Sequence, residues 1–184
     1  MLSIKESIAL EGQEYKKFMV FMGFELENDN VFDVVKKLGP APIYEEGDAA
    51  FYNVGVCYHL KNKSGTVKFE SGELGGKYHY LLSFVLTKDL DKDHKCGKLG
   101  VEIDDLSLGG IKIGMQYAKA YKLLPKPISI FSYGAYHERL NRIKAIDKSY
   151  GEVKTYICEE SIFIQVLHEN GIVESVSSSK ITAC

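Results

Sequence analysis

The sequence predicts an α+β protein made of two tandem helix-on-antiparallel-sheet repeats. Three observations predict it. A helical spacing closed by a spaced pair of prolines occurs twice, at 22–42 and at 108–128. Each occurrence is followed by segments in which apolar and polar residues alternate, the period of a half-buried strand. Each alternating block then makes a tight glycine turn into a strand rich in Val and Ser, "VKFESGELGG…LLSFVLT" against "FIQVLHENGIVESVSSS". The boundaries that follow are a first repeat at 1–87, a polar linker at 88–98 and a second repeat at 99–184, with an inserted helical segment near 132–150.

In the first repeat, Asn28, Asp29 and Asn30 supply capping oxygens ahead of Val31, Val34, Val35 and Leu38. That i, i+3, i+4, i+7 spacing makes one apolar helix face. Gly39 and Pro40 stop the helix, because proline cannot continue the hydrogen-bond ladder. "APIYEEGDA" reads as a turn-rich loop. "FYNVGVCYHL" then alternates, with Tyr52, Val54, Val56, Tyr58 and Leu60 on one side and Asn53, Gly55, Cys57 and His59 on the other. "KNKSG" is a hairpin loop, "TVKFE" a second strand, "SGELGGK" a turn and "YHYLLSFVLT" a third strand.

"KDLDKDHKCGK" breaks the apolar pattern and reads as a solvated boundary. In the second repeat Tyr117, Tyr121 and Leu124 form the helix face, closed by Pro125 and Pro127. Tyr136, Leu140 and Ile143 suggest an extra amphipathic helix inside 132–150, which has no counterpart in the first repeat. Strands are expected at "EVKTYIC", "SIFIQVLH" and "IVESVSSSK". A unit of roughly 70 to 80 residues buries little surface alone, so two copies are expected to stabilise one another.

Composition narrows the function. Of the 184 residues, 45% are hydrophobic and 26% charged, an ordinary globular mixture. The 23 basic and 25 acidic residues leave a net charge of −2, without the positive excess that holds a phosphate backbone, so nucleic acid is not an expected partner. No apolar run approaches the ~20 residues that span a bilayer. "MLSIKESIALEGQEYK" lacks a basic region followed by a continuous apolar stretch, so it does not read as a signal peptide. The expected location is cytoplasmic, or periplasmic or secreted if a signal was removed. Cys57, Cys96, Cys158 and Cys184 permit two disulfides in three connectivities in an exported chain. As strand residues, Cys57 and Cys158 read first as small buried apolar groups.

The residues around the helices resemble the beta-lactamase-inhibitor-protein-like group, which includes the inhibitor itself and the SmpA/OmlA outer-membrane assembly lipoproteins. The likeness rests on Ile113-Gly114-Met115, Leu124, Pro125 and Pro127 in the second copy. In the first it rests on Leu26, Leu38-Gly39-Pro40, Gly47-Asp48, Val67, Phe69 and Gly72. Two copies resemble the tandem inhibitor more than the lipoproteins. The resemblance implies a non-catalytic module that packs helices on one sheet face and offers the other to a protein. This chain departs from it in having no Trp, a basic "KNKSG" hairpin and no lipid-attachment cysteine near the start. Beta-lactamase inhibition is therefore not expected.

No cofactor or metal is expected. Asp91, Asp93, His94 and Cys96 carry ligand atoms but lack the second His or Cys that closes a structural zinc site. "GELGGK" lacks the spacing of a phosphate loop. A thiol enzyme using Cys158 with His168 or His137 is the catalytic alternative, and an inhibitor or immunity protein of a secreted hydrolase or toxin is a narrower form of the binding reading. The candidate partner face comprises Asn53, His59, Lys68, Glu70, Lys154 and Tyr156.

Overall fold

The apolar run at 18–24 folds as the end of a short helix, α1 (residues 14–19), and a hairpin of β1 (Val20–Phe21) and β2 (Phe24–Glu25). The computed structural model describes residues 14–48, 51–126, 128–147 and 154–184. Helix α2 (Val31–Leu38) starts where the capping residues predict. The Asn30 side chain accepts from the N–H groups of Phe32 and Asp33, and the Asp33 carboxylate accepts from the Asn30 N–H, a reciprocal capping box. Asp33 in the first turn and Lys36 and Lys37 in the last also complement the helix dipole.

Four strands follow: β3 (Ile43–Glu46), β4 (Asn53–His59), β5 (Thr66–Gly72) and β6 (Ser83–Thr87). After β7 (Gly97–Lys98) and helix α3 (Tyr117–Tyr121) come β8 (Ser129–Phe131), β9 (Gly134–Asp147), β10 (Lys154–Glu169) and β11 (Ile172–Ala183). All except β1 and β2 join one nine-stranded sheet, in the order β3-β4-β5-β6-β11-β10-β9-β8, with β7 added in parallel at the end of β4. The remaining pairings are antiparallel. The protein is thus a mixed α and β chain, mostly antiparallel sheet with few helices. The two meanders meet at β6 and β11, where Phe84 opposes Ser178.

One face of the sheet is covered. Val56, Tyr58, Val67, Phe69, Phe84, Leu86, Ile164 and Val166 point from it into a continuous core with Phe18, Phe21, Phe24, Val31, Leu108 and Ile111. Phe69 lies at the centre, with Phe21, Phe24 and Phe84 around it at ring separations of 5.4 to 5.9 Å. The amino-terminal segment crosses both meanders: the Ser178 hydroxyl donates to the Phe18 carbonyl, and Lys180 bridges Glu27 and Glu160.

Several expected elements differ. Residues 134–147 form β9 rather than an inserted helix. Residues four apart share a face in a strand as well as in a helix, so Tyr136 and Leu140 fitted both; fourteen residues paired with β10 decide for the strand. The expected strands at 154–158 and 161–168 belong to one strand, β10, which runs through Glu159 and Glu160, while Glu152 and Val153 lie outside the described residues. The loop "APIYEEGDA" contains β3. The third strand begins only at Ser83, because residues 73–78 wind into a 3₁₀ turn. The second helix keeps only five residues. The segment at 88–98 is no free linker; it lies back on the sheet, as described next.

Candidate functional site

The uncovered face is built from the alternate positions of the same strands. One row reads Gly55, Glu70, Ser83, Ser179 and Phe163 across β4, β5, β6, β11 and β10. The next reads Cys57, Lys68, Val85, Ser177, Gln165 and Tyr136. Serines thus occupy the middle of this open face, while the rings of Phe163 and Tyr136 meet at a tilt, 5.3 Å apart, toward one side. The small hydroxyls keep the middle low and able to donate or accept. The aromatic flank supplies rigid apolar surface of the kind enriched in recognition sites.

On the β4–β5 side, residues 88–96 fold over the face and are stapled there. Cys96 is disulfide-bonded to Cys57, whose alternation had placed it away from the core. Lys68 forms an ion pair with Asp91, whose side chain is only 2% exposed. Asp91 also accepts from the backbone N–H of His94 at 2.8 Å and faces its Nδ1 at 3.0 Å. The Nε2 of the same ring lies 3.2 Å from a Glu46 carboxylate oxygen. Both ring nitrogens therefore face carboxylates, the environment of a doubly protonated imidazole. The bond to Asp91, the largest influence, raises the His94 pKa; partial burial opposes it and Glu46 adds to it. Burial alone would raise the Asp91 carboxyl, but the bonds from Lys68 and His94 outweigh it and hold the pKa well below the usual range.

Tyr44 completes the staple. Its ring stacks on His94 at 3.8 Å and its hydroxyl donates to Glu70 at 2.9 Å. Burial, followed by the charge of Glu70, pushes the Tyr44 pKa far up. The ring lies across Gly55, where a Cβ would meet it at 2.5 to 3.0 Å, so the absence of a side chain there lets the ring lie flat on the strand. Lys68 and His94 balance Asp91 and Glu46. This is a closed ion-pair network, with each member engaged.

Of the expected partner residues, four come together on β4 and β5. Asn53 donates to Glu46, Glu70 accepts from Tyr44 and Lys68 is taken by Asp91. His59 places Nε2 3.1 Å from the Asp91 carbonyl, which requires that nitrogen to carry the proton. They are bound into the staple rather than freely presented. Lys154 and Tyr156 lie apart, in the stretch of β10 that pairs with β9 beyond the last β11 pairing at Glu159. The serine row and the staple were not anticipated. A cysteine on the polar side of an alternating strand was the available signal, since an outward cysteine needs a cover.

The expected free cysteines are bonded: Cys158 pairs with Cys184 as Cys57 pairs with Cys96. Cys158 therefore carries no thiol for nucleophilic chemistry. The sulfurs of Cys57 and Cys96 lie within 4.8 Å of an Asp91 oxygen, but disulfide sulfurs are not thiolate ligands. Disulfides of this kind persist in oxidising compartments. Among the described residues no helix is long and apolar enough to cross a membrane. No protein-family model matches the chain, and no curated protein and no solved structure matches it.

Proposed function

We propose that this chain is a non-enzymatic protein-binding module of an exported, periplasmic or secreted compartment, engaging its partner through the open sheet face. The observation that carries the reading is the asymmetry of the sheet. Amino-terminal residues, helices and the 101–124 connection fill one face, whereas Ser177, Ser179, Gln165 and Phe163 on the other are only half-buried. A broad antiparallel sheet with one solvated face is a ready platform for a partner. The order of elements, a helix followed by four antiparallel strands in each half, supports reading the chain as a duplicated unit joined at β6 and β11. The disulfides support export.

Site-specific photo-crosslinking tests the proposal. A benzophenone side chain at Ser177 is expected to trap a protein from the exported fraction of the source cells. The same group at exposed Phe32, on the helix side, is expected to trap none. Adducts at Phe32 alone would move the interface to the helix side, and adducts at neither would reject protein binding.

A further inference from the structure

Four aromatic rings form a strip across the end of the open face that lies farthest from the staple. Tyr133, in the turn between β8 and β9, meets Phe131 edge-on at 4.6 Å. Phe131 lies 6.2 Å from Tyr136, and Tyr136 lies 5.3 Å from Phe163. The register explains the line. Phe131 opposes Gly134, Tyr136 stands two residues along β9, and Phe163 opposes Glu138, two residues further on. Alternate strand positions share a face, so these three rings lie on the same side of the sheet. Glycine at 134 leaves Phe131 room to lie down, since a Cβ there would stand 3.0 Å from its ring. Tyr133 is 61% exposed and the other three rings are half-buried, so the strip keeps a solvated surface. Polar groups border it. Gln165 sits directly opposite Tyr136, and neither side chain makes a hydrogen bond among the described residues. The exposed Glu138 carboxylate, beside Phe163, has no ion pair among the described residues.

We infer that this strip is the docking site for a proline-rich segment of the protein partner, held as a polyproline II helix with a basic residue at its Glu138 end. The inference rests on the protein-binding reading and names the partner's chemistry. A polyproline II helix has no internal hydrogen bonds, so its carbonyls remain free to accept. The Tyr136 hydroxyl and the Gln165 amide supply donors beside the rings. The helix rises about 3.1 Å per residue and presents the same side every third residue, roughly 9 Å further on. That repeat is comparable with the two ring-to-ring steps from Phe131 through Tyr136 to Phe163, so prolines at i and i+3 can rest on the two outer rings. Aromatic surfaces recognise such segments at low entropic cost, because the peptide is already extended. Glu138 supplies the complementary charge for an arginine or lysine that flanks the prolines.

The test is a titration of the full ¹⁵N-labelled chain, followed by NMR, with three peptides. The first is acetyl-Arg-Ala-Pro-Pro-Leu-Pro-Pro-Ala-Arg-amide, whose two arginines let either chain direction meet Glu138. In the second, alanine replaces each proline; in the third, citrulline replaces each arginine. The first is expected to shift the amides of Tyr133, Tyr136, Glu138 and Phe163. It is expected to bind about tenfold more tightly than the alanine peptide, the scale of one or two aromatic contacts. Over the citrulline peptide the expected gain is about threefold, as suits an exposed ion pair, and Glu138→Gln should erase it. Tyr136→Ala is expected to abolish the preference for proline and Tyr136→Phe to keep most of it. Unmoved amides at buried Val67 and Phe69 report that both variants fold. Equal binding of the proline and alanine peptides, or no shift along the strip, would overturn the site. Cellohexaose binding more tightly at the same amides would assign the strip to a sugar chain and overturn it too. The wider reading fails separately. If a benzophenone at Ser177 traps a partner in equal yield after Tyr136→Ala, the strip fails and the sheet face stands; if it traps none, both fail.

Discussion

At the scale of single residues, the polar staple should show itself in pH dependence. The Asp91 pKa is depressed in the folded state, so its contribution is present above its unfolded value near 3.8 and is lost as pH falls through the lower folded value. The His94 pKa is raised, so its contribution is complete below its unfolded value near 6.5 and is lost as pH rises through the higher folded one. Melting temperature should therefore be highest between these values and decline on both sides. His94→Gln is expected to flatten the upper decline, and a melting profile that keeps its slope in this variant would refute the assignment. Asp91→Asn should cost about 2 kcal/mol in urea unfolding, below the range for a fully buried pair because Lys68 remains 24% exposed. Little of this was legible in the sequence. Asp91, His94 and Cys96 stood out as a cluster, but Glu46, Tyr44 and Lys68 are 23 or more residues away from Asp91, and chain spacing says nothing about such meetings.

At the scale of elements, local signals worked where local physics decides. The Asn30 capping box and the Gly39-Pro40 stop bound α2 as predicted, because caps and breakers act within a few residues. Asn30→Ala is expected to lower stability by about 1 kcal/mol, read by chemical denaturation, with Asn30→Gly costing only a few tenths. Gly55 is a tertiary case: Gly55→Ala would push the Tyr44 ring off His94 and is expected to lower the His94 pKa, measurable by proton NMR of the imidazole. An unchanged titration would show that the stacking is incidental. The misread 134–147 segment has the same lesson in reverse. Tyr136 and Leu140 suited either periodicity and Ile143 only the helix, and the fourteen-residue partner in β10 selects the extended form.

At the scale of the molecule, two covalent cross-links hold the sheet's outer features. Cys57–Cys96 closes 39 residues and Cys158–Cys184 closes 26. By loop entropy each is worth roughly 3–4 kcal/mol, slightly more for the longer loop. The double variant Cys57→Ser, Cys96→Ser is expected to lose that amount in equilibrium unfolding and to gain hydrogen exchange across residues 88–96. Protection there equal to that of the native chain would show that the ion pairs alone secure the segment. The sequence by itself determined the mixed helix and antiparallel-strand character, α2 with its ends, the Gly turns and the alternation that separates a core side from a polar side of β4 and β5. These follow from backbone preferences and from the removal of apolar side chains from water. The tertiary structure decided which cysteines meet, that the polar 88–98 stretch folds back as a cover, and that both meanders share one sheet. Those outcomes depend on long-range pairing and on charges that become strong only once neighbouring groups exclude water, and no local pattern encodes either.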